Sequence, residues 1–175
     1  MDEAELQRLA DELAIRKVLT KYCRGIDRCD GELLKSVYWP DAVDNHGVFN
    51  GTAMDFVEHI IPALKRLQHT MHQISNVLID LDGDRAKVET YVCAYHIGET
   101  EKGLRDLIFL GRYLDRFERR NGEWRIAERL VVMDWNRNHP ATAIWEEEMY
   151  RELRVRGERQ PEDPSYGLFG KSWLA

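Results

Sequence analysis

The sequence predicts one α+β domain in which three N-terminal helices pack on a strongly curved, mainly antiparallel sheet. The first third of the chain carries apolar residues at helical spacing, whereas residues 71–135 alternate with the period of extended strands. Asp82-Gly83 and Asn121-Gly122, both typical of tight hairpin turns, divide the latter region into antiparallel strands. Helices followed by a run of strands are typical of the α+β class.

The first predicted helix covers residues 2 to about 24, with a break near Asp11. One side of this helix is apolar at the spacing i, i+3, i+4, i+7. The positions on that side are Ile15, Val18, Leu19, Tyr22 and Ile26. Asp27 follows where this stripe ends, and an acid at that place is either a helix-end cap or a reacting group.

Two further helices are predicted before the sheet begins. Residues 31–39 form a short helix, which ends there because the residue before a proline avoids the helical conformation. Residues 41–51 then predict a short strand and turn that carry His46. Thr52 is the expected N-cap of the third helix, and Pro62 should kink that helix or split it.

Four long strands should follow the helices. They cover Met71–Leu81, Ala86–Ile97, Leu107–Glu118 and Trp124–Trp135. Strands of this length accumulate enough twist to curl the sheet. We therefore expect the helices to close one side of the curled sheet into a cone.

The main domain is expected to span residues 1–139, and residues 140–175 form a distinct C-terminal part. Within that part, Ala141–Val155 predicts a helix. The tail beyond it ends in apolar residues that would dock on the same subunit or on a neighbouring one. These residues are Tyr166, Leu168, Phe169, Trp173 and Leu174. We therefore expect a homo-oligomer, either a trimer or a dimer.

Charge and composition argue against several classes of protein. The formal net charge of -6 disfavours a nucleic-acid-binding surface, and Glu118 and Glu123 interrupt the basic run over residues 116–125. No stretch approaches the ~20 apolar residues that cross a bilayer, so no membrane partner is expected. The acidic N-terminus lacks the features of a signal peptide, and the three cysteines lack metal-binding spacing. These features predict a cytoplasmic protein.

Cofactor and metal chemistry find no supporting motif. The sequence has no glycine-rich phosphate loop, no dinucleotide fingerprint and no G-x-S-x-G segment around a nucleophile. His69 and His72 are three residues apart, which on a strand places them on opposite faces, and no further ligand set completes a metal site. We therefore predict neither a cofactor nor a metal.

Two histidines are expected to meet at one end of the sheet. His72 begins the first long strand and His96 ends the second. In a hairpin centred on Asp82-Gly83, His72 pairs with residues 93–95, so His96 lies close to it. The pattern alone leaves open whether the two are catalytic groups or ordinary structural histidines.

Arg129 and Tyr22 are polar residues in apolar surroundings. Arg129 lies between Ala127 and Val131 on an apolar strand face, where it needs an acidic partner or an anionic substrate group. An internal salt bridge and a functional role both remain open for it. Tyr22 belongs to the apolar stripe of the first helix and therefore faces inward, where its hydroxyl can donate to a substrate oxygen.

Three segments resemble the SnoaL-like branch of the NTF2-like superfamily. They are Tyr22-Cys-Arg-Gly-Ile-Asp27 after the first helix, Tyr38-Trp39-Pro-Asp-Ala after the second, and His72-x-x-x-Asn76 at the start of the sheet. The resemblance covers roughly residues 8–137. It implies an NTF2-like cone with an internal pocket, in which Asp27 faces His72.

Within that branch, the segments are similar to those of bile acid 7α-dehydratase, scytalone dehydratase and hexachlorocyclohexane dehydrochlorinase. This resemblance implies four catalytic residues, namely Asp27, His72, Tyr22 and Arg129. The predicted substrate-binding residues are His96, Tyr38, Tyr95, His46 and Trp135. The chain departs from the dehydrochlorinase by Tyr22 in place of a lysine, and from the bile-acid enzyme by His96 near the position of an acid.

The resemblance implies a cofactor-independent lyase that catalyses β-elimination, with loss of water or of formaldehyde. Its substrate would be a small hydrophobic aromatic or polycyclic compound that carries a hydroxyl group. His72 would act as general base or acid, and Asp27 would hold its tautomer and stabilise the imidazolium. The alternatives are an isomerase or cyclase of the same fold and a non-catalytic ligand-binding or assembly module.

Overall fold

The computed structural model describes residues 1–169, and within them it contains four α-helices, six strands and one 3-10 turn. The helices are α1 (Glu3–Asp27), α2 (Gly31–Ser36), α3 (Ala53–Lys65) and α4 (Ser165–Phe169). The strands are β1 (Tyr38–Asn45), β2 (Asn50–Thr52), β3 (His69–Asp82), β4 (Arg85–Thr100), β5 (Gly103–Arg120) and β6 (Glu123–Pro140). The predicted α+β class is confirmed.

The six strands form one curved sheet in the order β2-β1-β6-β5-β4-β3. β1 runs parallel to β6, and the other neighbouring strands run antiparallel. Two-residue loops join β3 to β4 and β5 to β6. In the second loop, Asn121 and Gly122 have positive φ angles of 53° and 82°, which a tight hairpin of this length requires.

α1 is a single continuous helix, so the predicted break near Asp11 is wrong. Asp2 caps its N-terminus in a capping box with Glu5. The buried Asp11 carboxylate accepts hydrogen bonds from Arg119 at 3.0 Å and from the indole nitrogen of Trp124 at 2.8 Å. Asp11 therefore ties the middle of the helix to the sheet instead of starting a new helix.

The other helices also differ in detail from their predicted bounds. α2 ends at Ser36, and β1 begins at Tyr38, because this segment already pairs with β6 through Ile126. α3 is not split at Pro62 and ends at Lys65, less than one turn later. Thr52 caps it as predicted, accepting a hydrogen bond from the backbone nitrogen of Asp55.

The hydrophobic core lies between the helices and the concave face of the sheet. Among its most deeply buried side chains are Ile15, Leu19, Leu34, Phe56, Phe117 and Ile126. Along β4, alternate residues point towards this core, as the period of two requires. The opposite, convex face carries exposed apolar residues such as Leu78 and Trp135.

The predicted helix over Ala141–Val155 does not form, and only a 3-10 turn over Glu148–Glu152 occurs there. Ile144, Met149 and Leu153 remain 48%, 67% and 57% exposed, so these side chains are not buried against the described residues. Without such burial an isolated helix of this length is marginal in water.

The tail docks on its own chain as far as the structure describes it. The Tyr166 hydroxyl donates to Asp30 at 2.7 Å, and the Arg24 guanidinium lies 4.5 Å from the centre of the Tyr166 ring. Leu168 is exposed. The predictions for Trp173 and Leu174 lie outside the described residues. Across residues 1–169, no helix is long and apolar enough to cross a membrane.

Candidate active site

A cavity of about 330 Å³ lies inside the curl of the sheet, beneath α1 and α3. Its wall is largely apolar, but three histidines and two tyrosines reach it. The lining residues are Tyr22, Ile26, His46, Phe56, Ile60, Leu64, His72, Ala94, His96, Phe109, Tyr113 and Val131. An apolar cavity with a few polar groups is the usual form of a small-molecule site.

Asp27 and His72 form a hydrogen-bonded pair at this wall. Asp27 is the last residue of α1, and its carboxylate accepts the backbone N–H of His72 at 3.0 and 2.8 Å. The same carboxylate lies 2.8 Å from Nδ1 of the His72 ring. Because a carboxylate accepts, Nδ1 carries the proton, and Nε2 is the ring nitrogen left for chemistry.

The Asp27 carboxylate is therefore no helix-end cap, since its hydrogen bonds go to β3. α1 remains helical through Gly25, so Tyr22 and Asp27 lie on different sides of the helix. Tyr22 lines the cavity directly, whereas Asp27 acts on the cavity through the imidazole of His72.

His96 is the neighbour of His72 on the adjacent strand. Thr70 of β3 pairs with His96 of β4, and this places the two imidazole rings 5.4 Å apart in an edge-to-face arrangement. Burial and the nearby His72 lower the pKa of His96 to about 4. His96 is therefore neutral near pH 7, and its Nδ1 forms a 2.8 Å hydrogen bond with the Thr70 hydroxyl.

His46 reaches the cavity as the member of a second Asp-His pair. Its Nδ1 lies 2.5 Å from a carboxylate oxygen of Asp44, which is fully buried. The other Asp44 oxygen accepts the Tyr38 hydroxyl at 2.6 Å. The His46 ring stacks on Phe56 at 4.3 Å, and its Nε2 lies 3.4 Å from the hydroxyl of Tyr22.

The tyrosine hydroxyls of this site are donors. Burial raises the pKa of Tyr22, although the nearby Arg129 opposes the change. Burial also raises the pKa of Tyr113. Both hydroxyls therefore stay protonated near pH 7, and Tyr22 can donate a hydrogen bond to an oxygen in the cavity.

The sequence of this chain matches a known family over most of its length. A model of the SnoaL-like domain matches residues 7–130. The chain belongs to the SnoaL-like family. The matched range includes Asp27, His72, His46 and His96, all of which contribute to the cavity or to its Asp-His pairs.

Individual relatives of this SnoaL-like protein are distant. Hexachlorocyclohexane dehydrochlorinase 1 of Sphingobium indicum is 23% identical over an alignment of 132 residues, and the match covers 71% of this chain and 82% of the relative. A dehydrochlorinase structure of LinA type 3, from Novosphingobium barchaimii LL02, has a TM-score of 0.69 and 21% identity. It covers 80% of this chain and 97% of that one.

A third relative is a protein of Novosphingobium aromaticivorans that is provisionally assigned as a scytalone dehydratase and whose crystal structure is known. It has a TM-score of 0.68 and 23% identity, and it covers 78% of this chain and 92% of that one. At these identities the structural similarity establishes a shared fold with this SnoaL-like protein.

Arg129 does not reach the cavity of this SnoaL-like domain, which corrects its predicted catalytic role. Its guanidinium makes two 2.7 Å hydrogen bonds to Asp115, and neither side chain is exposed. The rings of Tyr22 and Tyr113 cover it, with centroids 4.0 and 4.1 Å from the guanidinium carbon. Of the two open interpretations, the geometry favours the internal salt bridge.

Three predicted substrate-binding residues also lie away from the cavity. Tyr38 is fully buried behind it and contacts Asp44. Tyr95 is 38% exposed, because the inward-facing positions on β4 are its neighbours Ala94 and His96. Trp135 is 49% exposed, since the pairing of β5 with β6 shifts by one residue between Leu110 and Gly111 and alters the inward alternation.

Sequence reasoning missed Asp44 and Tyr113. Asp44 had a local signal, because Asp44 and His46 are two residues apart at the end of a strand, a spacing that puts both on one face. Tyr113 had no such signal. Its place in the wall depends on the register of β5, which the sequence does not reveal.

A larger cleft of about 770 Å³ lies between the C-terminal segment, residues 141–164, and one end of β3 and β4. Its lining includes the charged side chains of Arg28, Arg156 and Arg159, and His69 there stacks on Trp145 at 4.6 Å. We assign the smaller cavity as the site because both Asp-His pairs reach it. Among the described residues, no three His, Cys, Asp or Glu side chains gather as metal ligands.

Proposed function

We propose that this protein is a cofactor-independent lyase that catalyses β-elimination on a small hydrophobic aromatic compound carrying a hydroxyl group. The observation that carries the proposal is the Asp27–His72 pair, hydrogen-bonded at 2.8 Å in the wall of a mostly apolar cavity. Relatives named as dehydrochlorinase and as provisional dehydratase support an elimination reaction.

In the proposed reaction, Nε2 of His72 removes a proton from the carbon next to an electron-withdrawing group. The Asp27 carboxylate stabilises the imidazolium that forms, as in other Asp-His pairs. The electron pair of the broken C–H bond forms the new C=C bond, and the C–O bond to the leaving hydroxyl breaks. Tyr22 and His96 would hold the substrate oxygen on which negative charge develops.

The cavity limits the size of the substrate. Its volume of about 330 Å³ is at the lower end of the range for ligand sites, roughly 300–1,000 Å³. A compound with one or two rings fits this volume better than a four-ring steroid. The aromatic walls, formed by Phe56, Phe109 and Tyr113, suit a flat ring.

The test uses a β-hydroxy ketone, the aldol adduct of benzaldehyde and acetone. Loss of water gives benzylideneacetone, whereas carbonyl release of the formaldehyde-lyase type gives benzaldehyde, so absorbance and product mass separate the two reactions. We expect one of these products with the unmodified protein. An isomerase would give a product of unchanged mass, and a binding module would give none; either result contradicts the proposal.

Substitution of the pair should abolish most of this activity. We expect Asp27→Asn and His72→Ala to lower kcat by roughly 100-fold to 10,000-fold, because proton transfer loses its base or the partner that stabilises it. The matched control is His139→Ala, since this exposed histidine lies at the end of β6 away from the cavity. Circular dichroism checks that each variant is folded. Near-normal rates in both pair variants would contradict the assignment.

A further inference from the structure

The second Asp-His pair faces the same cavity as the first, but it comes from another part of the fold. His72 and His96 belong to the β3–β4 hairpin, whereas His46 follows β1 and stacks on Phe56 of α3. The hydroxyl of Tyr22 lies 3.4 Å from Nε2 of His46. Nε2 of His46 is thus directed at a group that itself lines the cavity.

The buried Asp44 carboxylate is built to support a proton on His46. Its side chain is fully buried, and its oxygens accept hydrogen bonds from Tyr38 at 2.6 Å and from Nδ1 of His46 at 2.5 Å. Within the described residues, its ion-pair partner is this imidazole. Because a carboxylate accepts, Nδ1 of His46 carries a proton, and a second proton on Nε2 would give the ring a positive charge directly beside this carboxylate.

We propose that His46, held by Asp44, is a second catalytic residue, the general acid that protonates the departing hydroxyl group. This inference rests on the proposed lyase function and narrows its substrate class. Loss of hydroxide from carbon needs a proton donor, whereas loss of chloride does not. Two Asp-His pairs at one cavity, one for each proton transfer, therefore fit the dehydration of a hydroxylated compound better than the removal of a halide.

The proton balance closes over one cycle. The C–H proton moves to Nε2 of His72, the C–O bond breaks, and the Nε2 proton of His46 moves to the departing oxygen, which leaves as water. His72 is then an imidazolium and His46 is neutral. Solvent water returns the proton from His72 to His46, and the next cycle starts in the original state.

The test compares two leaving groups that give the same product. The aldol adduct of benzaldehyde and acetone loses water, and its β-chloro analogue loses chloride; both yield benzylideneacetone, after correction for the uncatalysed rate. We expect His46→Gln to lower kcat for loss of water roughly 30-fold or more beyond its effect on loss of chloride. His72→Gln should lower both rates alike, and Asp44→Asn should resemble His46→Gln.

Equal losses for the two leaving groups in His46→Gln would overturn the assignment of His46. If the unmodified protein eliminates neither group, the lyase proposal itself fails. A second readout then tests His46 without turnover: nitrogen-15 NMR of the imidazole rings during titration with benzyl alcohol. We expect the Nε2 signal of His46 to shift in the unmodified protein. A shift confined to His72 and His96 would overturn the assignment of His46. Because this measurement uses the unmodified protein, it applies even if the variants do not fold.

Discussion

At the scale of single residues, the most unusual feature is the Arg129–Asp115 pair beneath the cavity. Both side chains are completely buried, and their fork-to-fork contact leaves Nη1 of Arg129 as a buried atom without a hydrogen bond among the described residues. The rings of Tyr22 and Tyr113 lie against the guanidinium. Arg129 therefore supports the two tyrosines that line the site instead of binding substrate.

Removal of one member of this pair should be far more costly than removal of both. We expect Asp115→Asn to lower the free energy of unfolding by about 3–5 kcal/mol, because it leaves a buried charge without a partner. The double variant Asp115→Leu with Arg129→Met should recover most of that loss. Urea denaturation measures both.

The control is an exposed pair on the same two strands. Arg116 and Glu128 lie 3.0 Å apart, but their side chains are 72% and 52% exposed. We expect Glu128→Gln to change the free energy of unfolding by less than about 1 kcal/mol. If Asp115→Asn were as mild as this control, the buried pair would not be the structural element that we describe.

At the scale of secondary-structure elements, the contact between α1 and α2 sets the position of Asp27. Gly25 lies in the last turn of α1, directly against Leu34 of α2. A Cβ atom at Gly25 would lie 3.1 Å from the backbone nitrogen of Leu34 and 3.2 Å from its Cα. The absence of a side chain thus permits the two helices to approach, and the helix does not loosen at this glycine.

We expect Gly25→Ala to destabilise the protein by about 1–3 kcal/mol, although alanine is the better helix former by about 1 kcal/mol. The added methyl group would push α2 away or shift the end of α1, and activity should fall with stability because Asp27 moves. Gly167→Ala in α4 is the control, since a Cβ there meets nothing within 4 Å. If the midpoint of thermal unfolding fell equally in both variants, the close contact between Gly25 and Leu34 would not be what limits this position.

Local signals in the sequence were sufficient for most elements within residues 1–139 and for the β3–β4 register, but not for the burial of every side chain or for the irregularities in the sheet. The Asn121-Gly122 turn and the pairing of His72 with Ala94 followed from turn chemistry and strand counting. The exposure of Trp135 did not, because a register shift in the sheet leaves no readable mark on alternation. Arg129 shares the inward alternation of Val131, and only the tertiary structure shows that tyrosine rings cover it.

The helix predicted over Ala141–Val155, which does not form, also shows what local sequence signals leave undetermined. Its apolar spacing was helical, but a helix of this kind is stable only where its stripe is buried. Sequence spacing does not show whether such a surface exists. Trp145, for example, packs on His69 from an irregular segment and remains 36% exposed.

At the scale of the whole molecule, the C-terminal segment crosses over the end of α1 that carries Asp27. The guanidinium of Arg159 donates to the backbone oxygen of Asp27 at 2.6 Å and to those of Leu64 and Leu67 at 3.4 Å. Arg28 and Asp163 form an ion pair at 2.8 Å nearby. The segment therefore places a positive charge on carbonyls at the C-terminal ends of α1 and α3, where such a charge is stabilising.

We expect Arg159→Ala to release this segment from the core and to loosen the end of α1. The midpoint of thermal unfolding should fall by several degrees, since carbonyls at two helix ends lose a charged donor. Limited proteolysis within residues 141–164 should become faster, and kcat should fall because the Asp27 carboxylate is held less firmly against His72. Arg154→Ala is the matched control, as Arg154 is 83% exposed and reaches Glu152 only at 3.8 Å. Equal cleavage rates in the two variants would show that Arg159 does not hold the segment in place.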